Sequence, residues 1–138
     1  MIKVNIMGKV KALLLILVVG IGCTPLKKDY KEDFNLFYKR FYSDSNFQRS
    51  RVKFPLAQKD ETPSGISSIQ IPAERWNVIY TIPKDTIING ERYQKKLTVG
   101  KETVTQTVFI PNSGFQNICT FKRIKGKWML VSISSTNL

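Results

Sequence analysis

The pattern of apolar and polar positions first predicts an amphipathic helix. Phe34, Phe37, Tyr38 and Phe41 recur at spacings of three and four, which predicts a helix over residues 29–44 with one aromatic face. Most of the remaining positions are charged or polar and can face water. We therefore expect the aromatic face to pack against a sheet or against another helix.

A short helix and a change of chain direction are predicted directly after it. Residues 43–45 are Ser, Asp and Ser, whose side-chain oxygens cap helix N-termini well, so a short helix is expected through residues 47–49. Pro55 disfavours helix at the preceding residue, and residues 52–56 are therefore predicted to be extended. Residues 57–65 are rich in turn-forming types and are predicted to be a loop.

The rest of the chain alternates between apolar and polar residues with a period of two, which is typical of half-buried antiparallel strands. Tight turns are predicted at Asn89-Gly90 and at Lys125-Gly126. Within residues 127–133 apolar side chains occur at both odd and even positions. Both faces of this strand should therefore be buried, which predicts a central position in the sheet. The predicted strands cover residues 76–82, 92–99, 103–110 and the hairpin 115–134. Helices followed by strands predict an α+β fold, with the helices packed on one face of a curved antiparallel sheet.

An apolar leader precedes this domain. Residues 12–22 are all apolar or glycine. A helix needs about 20 residues to cross a bilayer, so this segment is too short to span one but suits the apolar part of a signal peptide. Three lysines and no acidic residue precede it. Residues 1–22 are therefore predicted to be a signal peptide.

The end of the leader resembles a bacterial lipoprotein signal. Gly22 is the small residue expected before the cleavage site, and the thiol of Cys23 would be alkylated by diacylglycerol and become the new N-terminus. Gly20 departs from the usual Leu at its position, and an ordinary cleaved signal or an uncleaved anchor remains the alternative. The predicted organisation is a signal peptide at 1–22, a lipid-anchored tether at 23–28 and one α+β domain at 29–138.

This resemblance implies a location and a lipid partner. Palmitate-type acyl chains on Cys23 would hold the protein at a membrane, because two or three chains make attachment effectively permanent. The tether is basic rather than acidic. We therefore expect a position in the cell envelope, on the outer membrane and facing the periplasm.

Charge narrows the range of partners. The chain has 22 basic and 10 acidic residues, a net charge of +12, and removal of the leader with its three lysines leaves +9. Scattered lysines usually make an ordinary solvated surface, and a functional basic patch would suit an anionic glycan, a lipid surface or a protein partner. Nucleic acid is not expected, because an exported protein seldom meets it and the basic residues are scattered.

The chain lacks residue types and motifs on which several kinds of catalytic and metal site depend. The chain contains no histidine, which removes Ser-His-Asp and Cys-His catalysis. Cys119 has no intrachain partner if Cys23 is acylated, and it is expected to be a buried apolar residue rather than a reactive thiol. No metal site or cofactor is predicted, because one cysteine and scattered carboxylates cannot complete a zinc site and no Gly-rich phosphate loop occurs.

Two stretches carry a resemblance to a known family: "DFNLFYKRFYSDSNFQRSRVKFPL" at residues 33–56 and "CTFKRIKGKWMLVSI" at residues 119–133. Together with the leader they resemble uncharacterised lipoproteins of anaerobic gut bacteria, known only as a domain of unknown function. The order of helix and hairpins resembles the nuclear-transport-factor-like, cystatin-like roll. That resemblance implies a helix in the concave face of a curved sheet and a cone-shaped pocket. It transfers no catalytic residue.

The leading functional hypothesis is a lipid-anchored, non-catalytic binding or accessory module. Aromatic and cationic side chains suit sugars and acidic polymers, so Arg51, Trp76 and Tyr80 are candidate ligand contacts. A place in the core is the competing interpretation for Trp76 and Tyr80.

Two alternatives remain open. The first is a small-pocket enzyme in which a buried carboxylate acts as general base. Asp33 and Asp44 have a competing role at helix N-termini. The candidate general bases of this enzyme are Asp33, Asp44, Glu74, Glu91 and Glu102.

The second alternative is a structural partner in an envelope complex.

Overall fold

The computed structural model describes residues 30–138, which form two helices followed by strands. The predicted signal peptide, the cleavage site at Gly22 and Cys23, and the tether lie outside the described residues. The helices are α1 (Phe34–Ser43) and α2 (Ser45–Ser50), and a 3-10 helix covers Ala73–Arg75. The strands are β1 (Val52–Thr62), β2 (Gly65–Ile71), β3 (Thr86–Ile88), β4 (Glu91–Val99), β5 (Thr103–Phe109), β6 (Phe115–Ile124) and β7 (Lys127–Asn137).

Each helix begins at an aspartate that caps it. The Asp33 carboxylate accepts a hydrogen bond from the backbone N–H of Leu36 at 2.9 Å, and Asp44 accepts from Phe47 at 2.9 Å. The hydrogen bond from Phe47 also lowers the pKa of Asp44 below its usual value. The short second helix is confirmed, and both aspartates have the capping role.

The described strands form one seven-stranded sheet in the order β2-β1-β7-β6-β5-β4-β3. The α+β class, with helices packed on a curved sheet, is confirmed. The prediction of a purely antiparallel sheet is wrong at one pair, because β1 and β7 run parallel. They are neighbours in the sheet, but the rest of the domain separates them along the chain. β7 lies between β1 and β6, so its predicted central position is confirmed.

The predicted loop at residues 57–65 is mostly strand. β1 continues to Thr62 and pairs with β2 from Leu56↔Ile71 to Thr62↔Gly65. The polar side chains misled the prediction, because this hairpin lies at the edge of the sheet. β2 is exposed along nearly its whole length, and polar residues are compatible with a strand in that position.

The strand predicted at residues 76–82 is absent. Residues 77–85 are irregular, and one buried side chain replaces a neighbouring strand. The carboxamide Nε2 of Gln48 donates to the carbonyl of Ile79 at 2.7 Å, and the N–H of Ile79 donates to Gln48 Oε1 at 2.8 Å. Of the alternating apolar residues, Trp76 and Val78 pack against the domain, whereas Tyr80 and Ile82 are exposed.

The aromatic face of α1 packs against the sheet and forms the core. All four residues of the predicted face are buried, together with Tyr42. Phe34 contacts Trp128 edge-on with ring centres 5.0 Å apart, and Phe41 contacts Phe121 edge-on at 5.5 Å. Aromatic pairs of this geometry add stability beyond the area that they bury. The core therefore lies between the aromatic face of α1 and the sheet.

Candidate functional site

A pocket of about 540 Å³ opens beside the C-terminal end of α1. Tyr42 forms its helical wall, and residues 79–84 with β3 form the opposite wall. The sheet contributes inward-facing residues of β4, β5 and β6, among them Tyr93, Val108 and Phe115. Most of the surface is apolar, and Lys84 is the one charged residue among those that line it.

Three side chains make a polar cluster at the inner end of the pocket. The hydroxyls of Tyr38 and Tyr42 both donate to Oε1 of Gln106, at 2.5 Å and 2.8 Å. Gln106 lines the pocket although only 3% of its surface is exposed. Because Oε1 already accepts two hydrogen bonds, Nε2 is the donor that this carboxamide can offer to a ligand.

The titratable groups of the cluster stay neutral at physiological pH. Burial raises the pKa of Tyr38 to about 12, and the proximity of Cys119 adds to the effect. Burial also raises the pKa of Tyr42 above its usual value. The Cys119 thiol lines the pocket, and burial raises its pKa to about 11. The site therefore offers hydrogen bonds and apolar contacts, but it supplies neither a thiolate nor a phenolate for catalysis.

The candidate carboxylates lie elsewhere. None of the five lines this pocket. Asp33 and Asp44 cap the helices, and Glu102 forms an ion pair with Arg123 at 3.2 Å. Glu74 and Glu91 are exposed.

A family comparison agrees with this architecture. Residues 1–135 match the model of a family described as a domain of unknown function, DUF4348. The chain belongs to this family. A comparison with curated proteins found no match.

Solved structures of bacterial proteins show the same fold. A cystatin-like protein from Bacteroides caccae is 23% identical, with a TM-score of 0.60 over 75% of this chain and 76% of that protein. A protein from Bacteroides uniformis is 24% identical, with a TM-score of 0.57 and the same coverage. An NTF2-like protein from Bacteroides fragilis is 20% identical, with a TM-score of 0.56 over 83% of this chain. This DUF4348 chain covers 51% of that last protein, about half of its length. The predicted resemblance to the cystatin-like roll is thus confirmed as a likeness of fold.

Arg51, a predicted ligand contact, is part of an internal ion pair in this DUF4348 chain. Its guanidinium donates to both carboxylate oxygens of Glu32, at 2.9 Å and 3.0 Å, and stacks 4.6 Å above the ring of Phe47. The Glu32 carboxylate also accepts from the backbone N–H of Trp128 at 2.7 Å. Arg51 thereby connects the start of the domain to β7.

The other two predicted contacts have different environments. Trp76 is buried against Phe54, with ring centres 6.3 Å apart, and its Nε1 has no hydrogen-bond partner among residues 30–138. Tyr80 is 72% exposed. Neither residue lines the pocket, nor does Arg51. A shared ligand surface for these three residues stays a prediction.

Two further observations concern residues 30–138. No group of three or more metal-ligating side chains lies close enough together to hold an ion. No helix in this part of the chain combines the length and apolar character that a membrane span requires.

Sequence reasoning missed the two glutamines that shape the site. Gln106 occupies an inward position of β5 between Val104 and Val108, and Gln48 is fully buried within α2. A polar residue at an apolar position of the strand pattern was the available signal for Gln106. Gln48 gave no comparable signal, because α2 is too short for a clear period.

Proposed function

We propose that this chain is a lipoprotein of the cell envelope, attached through acylated Cys23, whose domain binds a small and mainly apolar molecule without catalysis. The pocket beside Tyr42 carries this proposal. Its volume of about 540 Å³ is within the range of small-molecule sites, roughly 300–1,000 Å³. Apolar walls with a few convergent polar groups are the usual composition of such sites.

The polar cluster indicates the chemistry of the ligand. Gln106 Nε2 is a donor at the inner end of an apolar space, so it favours a molecule with one buried hydrogen-bond acceptor. Lys84 is exposed at the wall of the pocket and suits a polar or anionic group on the outer part of the molecule.

The pKa values of the titratable side chains that line the pocket support binding without catalysis. A general base needs a pKa near the working pH, whereas burial raises the pKa values of Cys119 and Tyr42, which both line the pocket, away from it. The described pocket also lacks a carboxylate that could replace them.

A pair of matched variants tests the binding. Val108→Trp would fill the pocket, whereas Val99→Trp places the same side chain at an exposed position of β4. Native mass spectrometry of the acylated protein with N-phenyl-1-naphthylamine, a small apolar probe, should show a 1:1 adduct for the wild type and for Val99→Trp. The adduct should be lost in Val108→Trp with the melting transition retained. Absence of an adduct on the wild type would contradict the proposal.

Anchoring has its own test. Radioactive palmitate supplied to growing cells should label the wild type and Cys119→Ser, and it should not label Cys23→Ser. Equal labelling of the wild type and Cys23→Ser would show that Cys23 is not the lipidation site.

One observation favours the second candidate function, a structural partner in an envelope complex. β2 is an edge strand whose seven residues include no charge, and its Ile66 and Ile69 side chains are 62% and 51% exposed. Edge strands are usually protected by charges or proline against pairing with another chain. Ile66→Lys should therefore abolish crosslinks to a partner in cells, whereas Ile87→Lys on the opposite edge strand should retain them. Crosslinking that is equal in both variants would exclude β2 as the interface.

A further inference from the structure

One end of the domain, which we call the anchor end, is built from the first described residues and two strand turns. The N–H of Glu32 donates to the carbonyl of Gly126 at 2.9 Å, so the start of the domain crosses the β6–β7 turn. A Cβ atom at Gly126 would collide with the carbonyl oxygen of Tyr30. Arg123, near the end of β6, holds the β4–β5 turn at this end of the domain, because its Nη1 donates to the carbonyl of Lys101 at 3.0 Å.

Basic side chains dominate this end. Lys31, Lys101, Lys125 and Lys127 are all exposed. The nearby acidic residues are largely occupied within the domain: Glu32 is paired with Arg51, Glu102 with Arg123 and Lys31, and Asp33 caps α1. The exposed charge is therefore positive, which suits an anionic surface.

Exposed apolar side chains accompany these lysines. Tyr30 is 73% exposed and Leu36 is 71% exposed, and both line one groove with Lys31 and Lys127. An apolar or amphipathic side chain among basic residues is the composition that binds the interfacial region of a membrane. Tyrosine suits this region because one end of its side chain is apolar and the other is polar.

The distance to the proposed lipid anchor is short. Cys23 and Tyr30 are seven positions apart along the chain. An extended chain of that length spans at most about 25 Å, so the anchor end cannot move far from a membrane that holds Cys23. The tether itself adds Lys27 and Lys28.

We propose that the anchor end lies against the anionic phospholipid headgroups of the membrane that holds Cys23, with the pocket directed away from that membrane. Phe115, which lines the pocket, and Ile124, beside the β6–β7 turn, are at opposite ends of β6. They are nine positions apart along the strand, which corresponds to about 30 Å. A ligand would thus enter the pocket from the aqueous side. This inference rests on the proposed attachment through Cys23.

Amine labelling of the full-length protein tests the orientation. Native membranes and detergent-solubilised protein are treated with an amine-reactive acetylating reagent, and each lysine is quantified by mass spectrometry. Lys31, Lys125 and Lys127 should be labelled at least threefold less in membranes than in detergent. The exposed lysines Lys59 and Lys96, away from the anchor end, should be labelled equally in both and serve as the matched controls.

The outcomes separate the orientation from the anchoring. Acylated, membrane-bound protein with equal labelling of all five lysines would overturn the orientation alone. Protein without acyl chains, recovered in the soluble fraction, would overturn the anchoring and the orientation together. As a second measurement, Lys125→Glu combined with Lys127→Glu should abolish the protection of Lys31, and the matched pair Lys59→Glu with Lys96→Glu should preserve it.

Discussion

The side-chain carboxamide of Gln48 forms hydrogen bonds with both backbone polar groups of Ile79, at 2.7 Å and 2.8 Å. A neighbouring strand would satisfy the same two groups, so a single glutamine holds one wall of the pocket in place. Gln48 Nε2 also donates to the carbonyl of Phe41 at 2.8 Å, which joins that wall to α1.

Gln48→Met should loosen this wall while preserving the approximate volume of the side chain. Three hydrogen bonds are lost and their backbone partners remain partly buried, so the free energy of unfolding should fall by about 2–3 kcal/mol. Urea unfolding measures the change, and hydrogen exchange at Ile79 should accelerate. Gln70→Met, at an exposed position of β2, should stay within about 0.5 kcal/mol of the wild type. Equal stability of the two variants would contradict the role assigned to Gln48.

Arg51→Ala should destabilise the domain. The substitution leaves the Glu32 carboxylate without its ionic partner, although both side chains are only 12–13% exposed. The loss of a partly buried pair of this kind should lower the free energy of unfolding by about 2–4 kcal/mol, as measured by urea unfolding. Arg49→Ala, at an exposed position of the neighbouring helix, should change it by less than about 0.5 kcal/mol. If Arg51→Ala matches Arg49→Ala, the ion pair has no structural role and Arg51 becomes available as a ligand contact.

The fold was predictable where local sequence determines local structure. The aromatic face of α1 follows from helical spacing alone, and its four predicted residues are buried. The turns at Asn89-Gly90 and Lys125-Gly126 need positive backbone φ angles, and all four residues have them. Glycine and asparagine adopt such angles at low cost, so the sequence signal is direct.

The site was less predictable because it depends on contacts between distant segments. The parallel pairing of β1 with β7 and the hydrogen bonds from Gln48 to Ile79 join residues far apart in the chain. Residues 76–82 have the alternation of a strand, yet the polar backbone groups of Ile79 are satisfied by the side chain of Gln48. Similarly, the contact of Tyr38 and Tyr42 with Gln106 spans more than sixty residues and has no local signature.

The reactivity of Cys119 should show the upward shift of its pKa in a pH series. The thiolate is the reacting form, so alkylation by iodoacetamide accelerates about tenfold per pH unit until the pH reaches the pKa. In the native protein the rate should still rise steeply between about pH 9 and pH 10, because burial raises the pKa to about 11. In urea the rate should flatten over the same interval, since the ordinary value is 9.0. A native rate that flattens near pH 9 would show that the thiol is not shielded by burial.

The central claim is that an apolar molecule occupies the pocket beside Tyr42, and Cys119 reports on that occupancy directly because it lines the pocket. The measurement is the alkylation rate of Cys119 in the full-length protein, with and without saturating N-phenyl-1-naphthylamine. We predict that the probe slows alkylation at least tenfold in the wild type and has no effect in Val108→Trp. An unchanged rate in the wild type, with the probe shown to be bound, would place the binding site elsewhere and contradict the account.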